Sequence, residues 1–209
     1  LPGFEEGQWW IMDPSAAKVA DIVWGEVAPG QAPSATILDA CASPGGKTFR
    51  LMSRGAKVTA VDASHSRLET LHENCERLRL EPTILQHDWE QSAAHSLDTF
   101  DVVLVDAPCS ALGVVRRHPE IRWSRLPSDP AAMSVRQRRI LRHAAEHVSP
   151  EGALVYAVCS PCEEEGKQVV ETLDGWTITR TFNTCPPKGD EDAFQAFVLR
   201  RDVDKAIQR

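Results

Sequence analysis

The chain predicts a doubly wound α/β fold, with a mostly parallel seven-stranded sheet and helices on both faces. Three observations carry this. Short apolar or β-branched runs alternate with amphipathic helical stretches along the 209 residues, the pattern left by repeated strand–helix–strand units. The strongest run, Phe100-Asp101-Val102-Val103-Leu104-Val105-Asp106, is apolar at consecutive positions, as a central strand covered on both faces should be. Finally, Asp39, Asp62, Asp88, Asp106, Cys109 and Cys159 fall at or just past the ends of such runs, where sheets of this class place their ligands.

The elements follow in order. Residues 15–27 read as an amphipathic helix, with Ser15 at the N-cap. Residues 36–40 form a short strand leading into a Pro-Gly-Gly turn, and a helix follows over 47–54. Residues 57–62 are β-branched and end on an acid. Residues 64–80 are helical, with Leu68, Leu71, Cys75 and Leu78 on one side, and 83–86 form a brief strand before Asp88. After the central strand at 100–106, residues 107–129 make a long connection containing proline. Connections of that length inside a domain tend to be functional. A long basic helix spans 130–147, a buried strand 153–158, and a helix 163–173. Strands at 176–182 and 196–200 close the sheet. No repeat, low-complexity segment or linker divides the chain, so residues 1–209 read as one domain.

An apolar fraction of 42% with 25% charged residues belongs to a folded, water-soluble protein. No apolar run approaches the ~20 residues of a membrane span, and the N-terminus lacks the features of an export signal. Six cysteines in this length are not disulfide-dense, which points to reduced thiols in the cytoplasm. The chain begins without Met, consistent with a piece of something longer. The net charge of −7 is unevenly spread. Between Ser110 and His143, eight arginines face only Glu120 and Asp129, a local +6 against −13 elsewhere. Such a segment either attracts a polyanion or is a solvated helix face. Arg116, Arg117, Arg122 and Arg125 are the candidates for phosphate contact.

Residues Cys41, Ala42, Ser43, Pro44, Gly45, Gly46 and Lys47 run from strand to helix. Small residues there let a ligand approach the backbone, and a helix start offers free N–H donors. Asp62 is placed for ribose hydroxyls, and Asp88 for an adenine amino group. The phosphate-loop and dinucleotide signatures are both missing from the sequence. Two cysteines, Cys109 in Asp106-Ala107-Pro108-Cys109-Ser110 and Cys159 in Cys159-Ser160-Pro161-Cys162, follow neighbouring strands. They are candidates for covalent catalysis, and Cys159, placed before a helix, could have its thiol activated by the helix N-terminus. A thioredoxin-like redox role for Cys159 and Cys162 is the rival reading. Zinc is disfavoured, because no second cysteine pair or paired histidines accompany it.

These residues resemble the Sun/Fmu-type RNA cytosine-C5 methyltransferases, over nearly the whole chain. The resemblance is carried by Gly7-Gln8-Trp9-Trp10-Ile11-Met12-Asp13-Pro14, by Cys41 to Thr48, and by Asp106 to Ser110. It continues in Gly113-Val114-Val115-Arg116-Arg117-His118-Pro119-Glu120-Ile121-Arg122-Trp123 and in Leu154 to Ser160 with Glu164-Glu165. The sequence departs from that pattern in four places. Met12 replaces a usual Gln, Ala111 stands where glycine is common, Gly166 replaces an Asn, and Ala193 and Gln195 alter a motif that usually reads Asp-Gly-Phe-Phe.

The resemblance implies a Rossmann-like methyltransferase fold that binds S-adenosylmethionine through residues 41–47, Asp62, Arg67, Asp88 and Asp106. It implies RNA as partner, ribosomal first and transfer RNA second, and a monomer without metal. It further implies Cys159 as the nucleophile and Cys109 as the residue assisting product release, a choice that the residues alone leave open. Carbon 5 of cytosine is a poor nucleophile, and thiolate addition to carbon 6 turns the ring into an enamine that can attack a sulfonium methyl group. Asp106 could hold a proton toward ring N3 during that addition. A non-catalytic RNA-binding module on the same fold remains the third reading.

Overall fold

The computed structural model describes residues 1–31, 33–185 and 190–202. Its helices and strands are α1 (Pro14–Gly25), β1 (Thr36–Asp39), α2 (Gly46–Met52), β2 (Lys57–Asp62), α3 (His65–Leu78), β3 (Thr83–Gln86), β4 (Phe100–Asp106), α4 (Ile121–Ser124), α5 (Asp129–Ala145), β5 (Val148–Val158), α6 (Lys167–Val170), β6 (Trp176–Asn183) and β7 (Gln195–Arg201). The seven strands form one sheet in the order β3-β2-β1-β4-β5-β7-β6. All neighbours from β3 to β5 pair in parallel, whereas β7 runs antiparallel between β5 and β6.

The alternation along β4 explains why this strand has no polar face. Val103 and Val105 pack with Ile140, Leu141 and Ala144 of α5. Val102 and Leu104 pack on the other side with Val19, Ile22 and Val23 of α1. A third cluster seats α2 and α3 through Phe49, Leu68, Leu71 and Cys75. The sheet therefore has a helical layer on each face, and its strand ends are free to carry loops.

Several boundaries differ from the sequence reading for identifiable reasons. The N-cap of α1 is Asp13, whose carboxylate accepts from the Ser15 N–H, with Pro14 at the first helical position. Ser15 is instead buried, and its hydroxyl donates to the Asp192 carbonyl. The helix expected over 163–173 shrinks to α6. Residues 163–166 form a turn ending at Gly166, whose backbone (φ −101°, ψ −105°) is not helical. The consequence reaches the chemistry, because Cys159 does not open a helix and receives no help from a helix N-terminus.

Candidate active site

Because β1, β2, β4 and β5 are parallel, the loops that follow them gather along one edge of the sheet. After β1 the chain turns into α2 through Gly45, which has φ +111°. A Cβ there would lie 2.1 Å from the Phe49 ring, so only glycine fits. Beside this turn lies a hollow lined by Ala40, Cys41, Asp62, Arg67, Asp88 and Pro108, with Trp89, Glu90, Arg136 and Ile140 on its far side. The Asp62 carboxylate accepts from the N–H groups of Ser43 (3.3 Å) and Ser64 (3.0 Å) and faces Arg67 at 3.3 Å. Arg67 also donates to the Ser43 carbonyl. Asp88 lies two residues past β3, and its carboxylate accepts from the Glu90 N–H.

Two buried polar atoms at this edge, Asp39 Oδ1 and Ser43 Oγ, have no hydrogen-bond partner among the described residues. Burial pushes the Asp39 carboxyl up to about 7, against the opposing hydrogen bond from Thr48. Unsatisfied buried groups are rare. Here they stand beside a hollow with a carboxylate and a guanidinium on its wall, which fits a polar ligand such as a nucleoside.

Of the expected loop residues, Cys41 lines the hollow and Ser43 braces Asp62 and Arg67. Ala42 donates its N–H to the Val61 carbonyl, while Pro44, Gly45 and Gly46 make the turn. Lys47 turns away from the hollow to meet Asp106 at 2.5 Å. Burial pulls its ammonium down, but Asp106 outweighs burial and raises it overall. Lys47 also lies 5.2 Å over the Phe194 ring. Lys47 and Asp106 thus sit as a charged pair between the loop and the cysteines.

Asp106 pairs with Ala157 across β4 and β5, so the segments that follow start side by side. The Cys109 and Cys159 sulfurs lie 3.2 Å apart. All six cysteines are free thiols. The Cys109 thiol is pushed well up by its hydrogen bond to Cys159 and by burial, and Cys41 is raised by burial and by Asp39. Cys162 is raised by burial as well. The sulfur that Cys159 meets is that of Cys109, not that of Cys162.

The two cysteine loops share one buried carboxylate. Glu165 accepts from the Ser110 N–H (2.6 Å), the Ser110 hydroxyl (2.5 Å), the Ser160 hydroxyl (2.5 Å) and the Gln137 amide (3.3 Å). Its own carbonyl accepts from the Tyr156 hydroxyl at 2.6 Å. Gly113 is a second joint: its N–H donates to the Cys159 carbonyl and its carbonyl accepts from Ala193 N–H. A Cβ at Gly113 would lie 2.0 Å from the Ala193 oxygen. Gln195 completes the clamp by donating to the carbonyls of Ser160 (2.8 Å) and Cys162 (3.0 Å).

None of these bracing roles is visible in the sequence. Glu165 sits in the run Glu163-Glu164-Glu165, and nothing local marks the buried member. The arginines also divide in a way that composition could not show. Arg117 is bound to the fully buried Asp192, Arg116 reaches Asp13 and Asp192, and Arg125 donates to the Ser110 carbonyl. Of the four phosphate candidates, Arg122 alone has no side-chain hydrogen bond or ion pair among the described residues.

Ribosomal RNA small subunit methyltransferase B of Erwinia tasmaniensis is 42% identical over 168 residues, covering 79% of this chain and 38% of that protein. The Vibrio cholerae protein of the same name is 41% identical over 181 residues, 83% of this chain and 39% of its own length. The chain thus spans about two fifths of the length of these curated relatives. Among solved structures, NSun6 from Pyrococcus horikoshii with SFG superposes with a TM-score of 0.84 at 25% identity, over 97% of this chain and 55% of that one. A methyltransferase homologue from Pyrococcus horikoshii shares the fold, with a TM-score of 0.77 at 21% identity over 96% of this chain and 70% of the other. The family described as 16S rRNA methyltransferase RsmB/F matches residues 28–194. The chain belongs to that family.

Proposed function

We propose that residues 1–209 form a single catalytic domain that transfers a methyl group from S-adenosylmethionine to carbon 5 of a cytosine in ribosomal RNA. The observation that carries this reading is the 3.2 Å approach of Cys109 and Cys159 at the strand edge that also bears the loop of residues 41–47. Two thiols in contact at the strand edge that carries this polar hollow suit covalent activation of a pyrimidine better than they suit redox chemistry through Cys159 and Cys162. The relatives' names point to ribosomal RNA, and the neighbour with SFG, an S-adenosylmethionine analogue, points to the cofactor. No described helix is long and apolar enough to cross a membrane, and the cytoplasm, where thiols stay reduced, is the proposed compartment.

Bound S-adenosylmethionine supplies an electrophilic methyl group. Cys41, Ser43, Asp62, Arg67 and Asp88 would hold it, with Pro44, Gly45 and Gly46 shaping the turn and Ala42 the approach to it. Cys109 keeps its proton, being raised by its bond to Cys159 and by burial. Either sulfur can donate in the 3.2 Å contact, and Cys159 is assigned as the nucleophile toward carbon 6 on the family resemblance. Asp106, held by Lys47, faces the same space and is assigned to ring N3. After methyl transfer a base must remove the proton on carbon 5 before the Cys159 bond breaks. Cys109 assists that release.

The test is to incubate the protein with methyl-labelled S-adenosylmethionine and 16S ribosomal RNA and digest the RNA to nucleosides. Labelled 5-methylcytidine is expected. Its absence across ribosomal and transfer RNA, with bound cofactor demonstrated, would sink the reading.

A further inference from the structure

The segment between the Cys109 loop and α5 stands out from the surface. Every residue from Arg116 to Ser128 is exposed except Ile121, which anchors α4 to the body. Trp123 lies two residues beyond that anchor, which on a helix is more than half a turn away. Its ring is accordingly directed outward and is 80% exposed. The other five tryptophans are buried or partly buried. Leu126, also on this segment, is 66% exposed.

The platform is tied to the reaction site. Arg125, two residues from Trp123, donates its Nε to the carbonyl of Ser110, the neighbour of Cys109. A hollow lined by Cys109, Ser110, Arg125, Met133 and Arg136 opens beneath it. The surroundings are cationic. Arg122, the residue before Trp123, has no ion-pair partner among the described residues, in a chain whose overall charge is −7. An exposed indole next to the unpaired Arg122, on a segment that reaches an open hollow through Arg125, is the arrangement that single-stranded nucleic acid uses, with bases on the ring and phosphates on the cations.

We propose that Trp123 is the stacking platform for an RNA base beside the target cytosine, with Arg122 holding the adjoining phosphate. The target must leave its stack to reach Cys159, and its neighbour then loses a stacking partner. Trp123 replaces that partner. This inference rests on the reading of the chain as an RNA methyltransferase, and its partner is single-stranded RNA and not a protein segment.

The experiment compares wild type, Trp123→Ala, Trp123→Phe and Trp123→Leu in methyl transfer to a cytosine-containing RNA, and in anisotropy binding of a labelled single-stranded oligonucleotide. Trp123→Ala should raise KM for RNA about ten-fold or more, with kcat and the KM for cofactor within two-fold. Trp123→Phe should recover most of the loss and Trp123→Leu should not. Arg122→Ala should flatten the salt dependence of oligonucleotide binding. An unchanged KM and oligonucleotide affinity in Trp123→Ala overturns the proposal, and so does full rescue by leucine, which would indicate simple apolar packing against a protein partner. If the wild type makes no 5-methylcytidine, the functional reading fails, and the binding series alone decides the role of Trp123.

Discussion

The sulfurs of Cys109 and Cys159 lie 3.2 Å apart, although fifty residues separate them in the chain. The parallel pairing of β4 with β5 brings them together. Their separation suits proton transfer between them, and it leaves them one oxidation step from a bond.

Mild treatment with hydrogen peroxide should therefore join Cys109 to Cys159, two thiols and one peroxide giving one disulfide and two waters. Cys162 was the partner that a cysteine pair three residues apart suggested, but its sulfur is not the one in contact. Peptide mapping should find the Cys109–Cys159 bridge, and dithiothreitol should restore methyl transfer. A Cys159–Cys162 bridge with Cys109 left free would contradict the geometry.

Alanine at the two cysteines should have opposite consequences. Cys159→Ala removes the proposed nucleophile and should abolish turnover without any covalent complex. Cys109→Ala leaves attack possible but impairs release, so a protein–RNA adduct should persist on a denaturing gel. An adduct from Cys159→Ala would reverse the assignment of roles.

Glu165 joins the loops through a buried carboxylate that accepts from both serines and from Gln137. Glu165→Gln can keep a carbonyl oxygen on the Ser110 N–H, but its NH2 then faces the Ser110 and Ser160 hydroxyls, which lose their common acceptor. A loss of about 1–3 kcal/mol in stability is expected from one such conflict, read from urea denaturation. Methyl transfer should fall further than the folded fraction does, because the cysteine loops lose their common brace. A stability unchanged within about 0.5 kcal/mol would remove Glu165 from this role.

Asp39 carries a pH signature. Burial holds its carboxyl at about 7 in the folded state, well above the ordinary 3.8. The folded protein then binds more protons than the unfolded chain between these values. Stability falls as pH rises from about 4 to about 7 and stays lowered above. Asp39→Asn removes that dependence and keeps an acceptor for the Thr48 hydroxyl. The variant should match wild type near pH 4 and exceed it by about 1–3 kcal/mol above pH 7. Urea midpoints across that range decide it; a difference independent of pH would mean that Asp39 is ionised throughout.

The legible parts of the fold were those written locally. Strands such as Phe100–Asp106 announce themselves by unbroken apolar runs, and residues at their ends inherit a place at the sheet edge. That was enough to bring Cys109, Cys159, Asp106 and Asp62 into one region. What stayed hidden depends on partners distant in sequence. Glu165 looks like its solvent-facing neighbours until Ser110 and Ser160 arrive. Arg116 and Arg117 read as cations for a polyanion, but Asp192 claims them. The departure at Ala111 also gains a reason: its φ is +61°, a left-handed conformation that glycine adopts without cost. Ala111 accepts the strain that a relative with glycine avoids.

The position of β7 sets the order in which the site can be completed. This last strand slots between β5 and β6, and its approach supplies Asp192 to Arg117, Ala193 to Gly113 and Gln195 to the loop after Cys159. A growing polypeptide leaves the ribosome N-terminus first. Both cysteine loops therefore precede Asp192, Ala193 and Gln195 in the order of emergence, so the pairing of β4 with β5 comes before the brace that β7 adds. The Cys109–Cys159 contact is thus set by the parallel pair and secured afterwards by the antiparallel strand that follows it in the chain.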